Sequence, residues 1–404
     1  MPRARSSDVV GGCGESPRPG DVRAAGFSRG GAIRRMGQDG QRLLQRLRKL
    51  VALASAGGRE ERVQSYLEAT LQVFGFETQR QEVAPGRWNL YARRGASLFL
   101  IATHADTVPR WGHPDGFRLR LRGGMVSGRG VVDTKGQIAA LLDACSEEEI
   151  PACLAFFVDE EGLGSGSELF QWPWPDRLAG AVVLEPTGLR LATAQAGSFE
   201  LEVRVKGKAW HGASFRESDN AILRAAELIA HIRALPFWTS TDPRFGRLGI
   251  TVGRIRGGRD VQVIPDCCEF QIDLPILPEH GLDQVRDAVL RILEAAGASY
   301  AVHHHEPPFE TGEDEAVVRV LREAHQRVMG RTPEIAGFSA WTDAANLARK
   351  GLPSVVYGAG ELALAHSPEE AVRLSDLIAL RDVLREFLRD GGLRQGFQGS
   401  EALS

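Results

Sequence analysis

Apolar residues form short unbroken runs in some regions of the chain and alternate with polar residues in others. Four segments begin with an unbroken apolar run and end in a loop: residues 97–109, 152–166, 179–188 and 352–360. Strands that are apolar on both faces and separated by helices indicate a mainly parallel sheet covered by helices on both faces. Apolar positions at helical spacing predict two helices within residues 41–75, one at 134–145 and a closing helix at 371–389. The sequence therefore predicts an α/β fold.

The pattern changes near residue 197. The stretch "GSFELEVRVKGKA" at 197–209 alternates apolar and polar residues, as a half-exposed antiparallel strand does. A helix at 220–235, two further strands and a helix at 282–297 follow, which predicts a small α+β sandwich. We therefore expect a lid and dimerisation domain inserted between two segments of a catalytic domain, with these bounds: catalytic 41–196, lid 197–306 and catalytic 307–391.

The two ends of the chain differ from the rest in composition. Residues 1–40 are rich in Arg, Gly and Ser and lack the apolar core of a secretory signal. We interpret them as a disordered extension, or as the product of a start codon placed too early with Met36 as the candidate start. A transit peptide is the alternative. Residues 392–404 are interpreted as a flexible tail.

Charge and composition exclude several classes of protein. The formal net charge of −3 argues against a nucleic-acid partner, because nucleic-acid binders typically carry a strongly basic surface. No apolar stretch approaches the roughly 18 residues that a membrane span requires, so no membrane partner is expected. The five cysteines lack the paired spacing of a zinc knuckle, and we interpret the setting as reducing and cytoplasmic.

Acidic and histidine residues follow the ends of the apolar runs. The positions are His104 and Asp106 after "LFLIAT", Asp133 after "GRGVV", Glu160 and Glu161 after "LAFFVD", and Glu185 after "AGAVVL". Each alone has an ordinary explanation, such as a turn cap or a solvated loop. Ligand sites in open α/β sheets lie beyond the carboxyl ends of the strands, so we expect these side chains to meet in one cleft.

Histidine nitrogen and carboxylate oxygen suit zinc, and a carboxylate-rich site also suits manganese or cobalt. Two divalent cations about 3.5–4 Å apart need a bridging carboxylate and a few terminal ligands each. Asp133 can bridge, His104 with Glu185 can serve one ion, and Glu161 with His366 of "ALAHSPEE" can serve the other. We therefore predict two divalent metal ions per chain, zinc with cobalt or manganese as alternatives. One of the paired glutamates at 160 and 161 is then left free to move a proton.

These motifs carry a family resemblance. The set "HADTVP", "GRGVVDTKG", "DEEGLGSG", "LEPTG" and "AHSPEE" resembles the co-catalytic zinc amidohydrolases that include acetylornithine deacetylase, succinyl-diaminopimelate desuccinylase, aminoacylase and glutamate carboxypeptidase. The likeness spans roughly residues 41–390. The resemblance implies that Glu160 is the general base and that Asp106 orients His104. It also implies a set of metal ligands: His104, Asp133, Glu161, Glu185 and His366.

The inserted segment resembles the same family. "GKAWHGASFRESDNAI" is similar to the family segment whose histidine, here His211, reaches a partner subunit's active site and polarises the scissile carbonyl. The resemblance therefore implies a homodimer formed through the lid. Three positions depart from the family pattern: Gln262 stands where asparagine is usual, and Leu274 and Ala345 stand where some relatives carry arginine. The groups that bind the substrate carboxylate therefore do not match the best-known members.

The resemblance implies a metal-dependent amide hydrolase that acts on small N-acyl amino acids, because Glu185, rather than aspartate, is similar to the deacetylase and desuccinylase side of the family. A dipeptidase or carboxypeptidase with the same two-metal centre is the alternative. A third hypothesis is a binding protein of this fold that has lost catalysis. Its mark would be loss of the base or of a ligand, and neither is seen. The "HHH" at 303–305 is interpreted as strand residues, with His303 and His305 on one exposed face rather than at a metal.

Overall fold

The computed structural model describes residues 38–146, 149–175, 177–214, 216–238 and 241–393. The predictions for the N-terminal extension and the C-terminal tail mostly concern residues outside these ranges. Two helices extend a few residues beyond the bounds expected for the catalytic domain. The first helix already begins at Gln38 and the last helix continues to Leu393, because the apolar spacing that marks a helix need not extend to its ends.

The described ranges form nine α-helices, which include those predicted from apolar spacing. They are α1 Gln38–Ala52, α2 Glu61–Val73, α3 Lys135–Ser146, α4 Ser165–Glu168, α5 Ala221–Arg233, α6 Leu282–Ala295, α7 Ala316–Met329, α8 Asp343–Arg349 and α9 Leu374–Leu393. Local capping fixes some of their starts: the Asn220 side chain accepts hydrogen bonds from the first turn of α5, and the Thr342 hydroxyl accepts one from Ala344 in α8.

The same ranges form eighteen strands. They are β1 Glu77–Ala84, β2 Arg87–Arg94, β3 Phe99–His104, β4 Arg120–Arg122, β5 Met125–Ser127, β6 Ala152–Phe157, β7 Gly180–Val183, β8 Leu191–Gln195, β9 Gly197–Lys206, β10 Trp210–His211, β11 Thr251–Gly257, β12 Val263–Ile264, β13 Cys267–Ile276, β14 Ser299–Glu306, β15 Phe309–Glu310, β16 Ile335–Phe338, β17 Ser354–Val356 and β18 Ala371–Arg373. The predicted closing helix therefore begins three residues later than expected, because 371–373 pair as β18 with β5.

The largest sheet has a parallel centre. Its order is β1-β2-β6-β3-β7-β17-β8-β15, with β16 also paired to β8. The four central strands β6, β3, β7 and β17 are mutually parallel, while β1, β2 and β15 pair antiparallel at the edges. The central strands are the unbroken apolar runs of the sequence. The α/β prediction is therefore confirmed, and the carboxyl ends of these strands lie along one edge.

Helices and loops cover both faces of this sheet. Successive residues of β3 point to opposite faces, as strand geometry requires. The ring of Phe99 contacts Phe387 of α9, with ring centroids 5.2 Å apart. Leu100 belongs instead to a buried cluster with Ala344 and Leu347 of α8. Because both faces are buried, β3 is apolar from Phe99 to Ala102 and carries polar side chains only at its carboxyl end.

A second, antiparallel sheet lies wholly within residues 197–306. Its order is β11-β13-β9-β14. On one face, alternate residues of β9 such as Leu201 and Val203 pack in a buried core with Leu228 of α5 and Val289 of α6. The opposite face carries polar side chains, which explains the alternating pattern of the sequence. His303 and His305 of β14 are exposed, as expected.

The remaining strands form two small sheets, β18-β5-β4 and β10-β12. The first joins the loop before α3 to the segment before α9. The second holds His211 opposite Val263. No helix in the described part of the chain is long and apolar enough to cross a membrane.

Candidate metal centre

Three of the predicted site segments follow neighbouring parallel strands. His104 is the last residue of β3, Glu160 and Glu161 lie in the turn after β6, and Glu185 follows β7. Since β6, β3 and β7 are adjacent and parallel, their carboxyl ends bring these side chains together. Residues far apart in the sequence thus meet at one edge of the sheet.

Asp133 stands between the two histidines. Its Oδ1 atom lies 2.9 Å from Nε2 of His104, and its Oδ2 atom lies 3.2 Å from Nε2 of His366. Asp133 precedes α3, whereas His366 lies in the loop between β17 and β18. The two oxygens of one carboxylate therefore face two different imidazoles.

The described residues contain three groups whose ligand atoms lie within 4.8 Å of one another: His104–Asp133–Glu185, Asp133–Glu161–His366 and His104–Glu160–Glu161. We call the first the His104 site and the second the His366 site. Oε2 of Glu161 is 2.9 Å from Nε2 of His366, and Oε1 of Glu185 is 3.5 Å from Nε2 of His104. All five residues expected as ligands are thus found in these two sites.

The donor set fits divalent cations. Each site offers one imidazole nitrogen and carboxylates from two residues, which are donors suited to zinc, cobalt and manganese. In addition, Oε1 of Glu185 is buried and forms no hydrogen bond within the described ranges. A buried carboxylate oxygen without a hydrogen bond is costly unless a cation or a proton binds it. The His104 site therefore has an atom that a cation would satisfy.

The electrostatics of the cluster favour added positive charge. Burial raises the pKa of Glu185 and Glu160 well above the usual range, and neighbouring carboxylates raise both further. Burial opposes protonation of His366, but Asp133 and Glu161 outweigh it and raise its pKa to about 10. The carboxylates thus hold protons on the imidazoles, and cations at the same place would replace those protons.

The three consecutive acids after β6 have separate environments. Asp159 has a φ of 69° and turns away from the cluster, where its carboxylate accepts hydrogen bonds from Arg87 and Ser165. Glu161 lies against His366. Glu160 is closest to the other histidine, with Oε2 3.9 Å from Nε2 of His104. The turn therefore separates like charges that would otherwise repel.

Asp106 connects this turn to β3. Its two carboxylate oxygens accept hydrogen bonds from the main-chain N–H groups of Glu160, at 3.3 Å, and Glu161, at 3.0 Å. The same carboxylate lies 3.3 Å from Nδ1 of His104. One acid thus contacts both a candidate ligand and the backbone of the candidate base.

His211 lies apart from these groups, none of which includes it in the part of the chain that is described. It is exposed on β10, and its Nδ1 atom accepts a hydrogen bond from the main chain of Ala213. Gln262 is also exposed, and its carbonyl oxygen accepts from Gly212. Leu274 is wholly buried in the core of the second sheet, so its side chain does not face a cleft. Ala345 is buried in α8.

Sequence reasoning missed three buried charged residues near the cluster. Arg129 and Glu370 form a buried ion pair, and both stand inside quoted motifs, "GRGVVD" and "AHSPEE". Asp343, at the start of α8, is fully buried, and burial raises its pKa to about 7. A charged residue inside a motif was the available signal for the first two. Asp343 gave no comparable signal, because its burial results from the packing of α8 in the folded protein and is not marked in the sequence.

Comparison with known proteins identifies relatives over most of the chain. The family model described as Peptidase family M20/M25/M40 matches residues 100–390. An acetylornithine deacetylase of Myxococcus xanthus is 30% identical over 348 residues, which span 79% of this chain and 89% of that protein. A probable carboxypeptidase of Aspergillus clavatus is 27% identical over 372 residues, or 83% of this chain and 85% of that protein.

A solved structure has the same fold. A tripeptidase from Staphylococcus aureus superimposes with a TM-score of 0.73 at 20% sequence identity, covering 87% of this chain and 98% of that one. At this level of identity the likeness concerns the fold.

Proposed function

This chain belongs to Peptidase family M20/M25/M40 and is a metal-dependent hydrolase of amide bonds; from that premise we propose that it acts on small N-acyl amino acids with two bound divalent cations. The family resemblance of the sequence motifs is confirmed. The number and identity of the ions, the role of each residue, the substrate and the dimer are parts of the proposal.

The observation that carries the two-ion proposal is the position of Asp133. Its two carboxylate oxygens face His104 and His366 at 2.9 and 3.2 Å. A carboxylate that serves two sites at once is what a pair of cations about 3.5–4 Å apart requires. His104 and Glu185 would complete one site, and Glu161 and His366 the other. Zinc is the expected ion, with cobalt and manganese as alternatives.

Glu160 is the proposed general base. Bound cations polarise an amide carbonyl and lower the pKa of a water molecule. Glu160 accepts a proton from the attacking water as the new C–O bond forms, and it returns that proton to the nitrogen as the C–N bond breaks. Its neighbour Glu161 lies 2.9 Å from Nε2 of His366, whereas Oε2 of Glu160 lies 3.9 Å from Nε2 of His104, beyond hydrogen-bond distance. This difference supports giving the proton-transfer role to Glu160.

Relatives support the substrate class. The deacetylase of Myxococcus xanthus supports an N-acyl amino acid. The carboxypeptidase of Aspergillus clavatus supports the alternative, a dipeptidase or carboxypeptidase with the same centre. The two candidates share the chemistry and differ only in what the rest of the cleft accepts.

We propose that the active unit is a homodimer joined through a lid at 197–306. His211 is exposed and lies outside both sites of its own chain, which supports a proposed role as donor to the carbonyl oxygen in the site of a second copy. The same segment carries exposed apolar side chains, with Val261 97% and Ile255 50% exposed. Exposed apolar residues in one segment favour an interaction surface. Within the described ranges, the thiols of Cys145, Cys267 and Cys268 are free, which supports the proposed cytoplasmic setting.

The test is a screen of N-acyl amino acids and dipeptides. The protein is freed of metal with a chelator, assayed, and then assayed again after addition of zinc, cobalt or manganese, with metal content measured by elemental analysis. We expect amide hydrolysis to disappear and return with up to two ions per chain, fastest on N-acyl amino acids. Full activity in metal-free protein would overturn the mechanism, and faster turnover of dipeptides would select the alternative substrate class.

A further inference from the structure

The Arg129–Glu370 ion pair is buried beside the metal centre without belonging to either site. Both side chains are 1% exposed, and Nη1 of Arg129 donates to Oε2 of Glu370 at 2.5 Å. Burying two charges removes their hydration, and replacing such a pair by apolar residues is often neutral or stabilising. Stability alone is therefore a weak explanation for this pair.

Glu370 holds the main chain that leads into Asp133. Its Oε1 atom accepts hydrogen bonds from the N–H groups of Val132, at 3.0 Å, and Asp133, at 3.4 Å. Asp133 is the one residue shared by the His104 site and the His366 site. Since the backbone of Asp133 is bound to Glu370, the direction of its carboxylate depends on where Glu370 lies.

Arg129 holds the main chain of His366. Its Nη2 atom donates to the carbonyl oxygen of His366 at 3.3 Å and to that of Arg110 at 3.0 Å. His366 has a φ of 61°, in the left-handed region that few residues other than glycine adopt. The contact from Arg129 therefore helps to keep a ligand in a backbone conformation that it would otherwise seldom occupy.

We propose that Arg129 and Glu370 are positioning residues that set the metal affinity of the His366 site. The inference rests on the proposed two-ion function. It predicts that changes to this ion pair lower the metal affinity of the two sites unequally. The ion pair holds the backbone of Asp133 and His366, which are two of the three residues in the His366 site. It holds only one of the three, Asp133, in the His104 site. Loosening the pair therefore weakens the His366 site more.

The experiment measures metal binding rather than turnover. Metal-free wild type and Glu370→Gln are titrated with cobalt, following the visible absorption of the bound ion, and with zinc by calorimetry. The amide keeps the shape of the side chain but carries no charge. We expect affinity for one ion to fall by about 10–100-fold, the usual effect of removing a partner that orients a ligand, and affinity for the other to fall by less. The cobalt spectrum of the weakened site should change.

Arg129→Lys gives a second test should Glu370→Gln fold poorly, because lysine keeps the charge but lacks the fork that reaches Glu370 and the His366 carbonyl together. We expect it to weaken the same ion. Asp143→Asn is the matched control: Asp143 is a buried acid whose ion pairs with Arg46 and Arg381 join α3 to α1 and α9. The Asp143→Asn variant should lower the unfolding temperature of the metal-free protein and leave the affinity for each of the two ions unchanged.

The outcomes separate the two proposals. If wild type binds two ions, and Glu370→Gln and Arg129→Lys bind both with wild-type affinity, the inference is overturned and the two-ion function stands. If Asp143→Asn weakens the same ion to the same extent, the pair is merely structural and the inference is again overturned. If wild type binds fewer than two ions, the two-ion function fails and the inference fails with it.

Discussion

The carboxylate of Asp106 lies 3.3 Å from Nδ1 of His104, on the side of the ring opposite to Asp133. This distance is slightly longer than an ordinary N–H···O hydrogen bond, and the buried nitrogen has no hydrogen-bond partner in the described ranges. Asp106 is therefore the group placed to hold a proton on Nδ1. A proton on Nδ1 leaves Nε2 with a free lone pair, directed at the His104 site.

Asp106→Asn should weaken metal binding at the His104 site. The amide can no longer balance a positive charge on the imidazole, and it cannot accept from the N–H groups of Glu160 and Glu161 with two oxygens. We expect about a 10–100-fold loss of affinity for one ion, measured by zinc titration of the metal-free protein. Asp242→Asn, in a loop where Asp242 accepts from Arg244, is the control and should bind metal as wild type does. Unchanged affinity in Asp106→Asn would contradict the orienting role.

The Glu160 and Glu161 variants should separate the base from the ligand. Glu160→Gln should keep its metal content and lose at least about a hundredfold in turnover, the usual scale for a general base. Glu161→Gln should bind one ion more weakly, since Glu161 lies 2.9 Å from His366 in the His366 site. Metal content by elemental analysis and turnover are measured on the same samples. Equal metal retention in both variants, with an active Glu160→Gln, would show that the roles are wrongly assigned.

Much of this centre can be predicted from the sequence, because each buried parallel strand is an apolar run that ends where polar residues begin. His104 and Glu185 each follow a run that is apolar on both faces, and topology then makes adjacent strand ends adjacent in space. The edge strands carry no such signal. In β2, "RWNLYARR", Asn89 is wholly buried, and its polar side chain is satisfied by Gly166 and Val158. The polar composition of β2 therefore predicts an exposed strand, although the four central residues of β2 are buried.

The ion pair beside the centre could not be predicted for a related reason. Arg129 and Glu370 are 241 positions apart and have no periodic relationship. Their contact exists only because β18 pairs with β5 and brings the segment after His366 next to the loop before α3. The sequence around Arg129 and Glu370 is equally compatible with two solvent-exposed charged residues. Burial, which gives the pair its effect on Asp133 and His366, appears only in the assembled fold.

A buried histidine that belongs to neither proposed metal site should make stability depend on pH. Nδ1 of His325 lies 2.8 Å from the hydroxyl of Tyr357, and burial lowers the pKa of His325 to about 4. The unfolded chain, with a histidine pKa near 6.5, binds a proton between about pH 6.5 and pH 4 that the folded protein does not. The free energy of unfolding therefore falls as pH is lowered through this window, by about 2 kcal/mol at pH 5.

The measurement is denaturant unfolding of the metal-free protein at pH 7.5 and pH 5. His325→Gln should be less stable than wild type at pH 7.5 yet lose about 2 kcal/mol less on going to pH 5, because the titrating group is gone. His231→Gln, at an exposed position of α5, is the control and should keep the wild-type pH dependence. The same pH dependence in His325→Gln and wild type would contradict a depressed pKa at His325.

His211 gives the sharpest test of the dimer, because it lies on β10 in the predicted lid while both metal sites lie at the edge of the large sheet. His211→Ala should keep its metal and lose about 10²–10³ in turnover, the usual effect of removing one donor to a developing oxyanion. Mixing inactive Glu160→Gln chains with inactive His211→Ala chains then decides between the two arrangements. If His211 acts across the dimer, each mixed dimer has one cleft with both defects and one with neither, so activity returns as subunits exchange. A mixture that stays inactive while mass spectrometry shows mixed dimers would place the role of His211 within its own chain or remove it altogether.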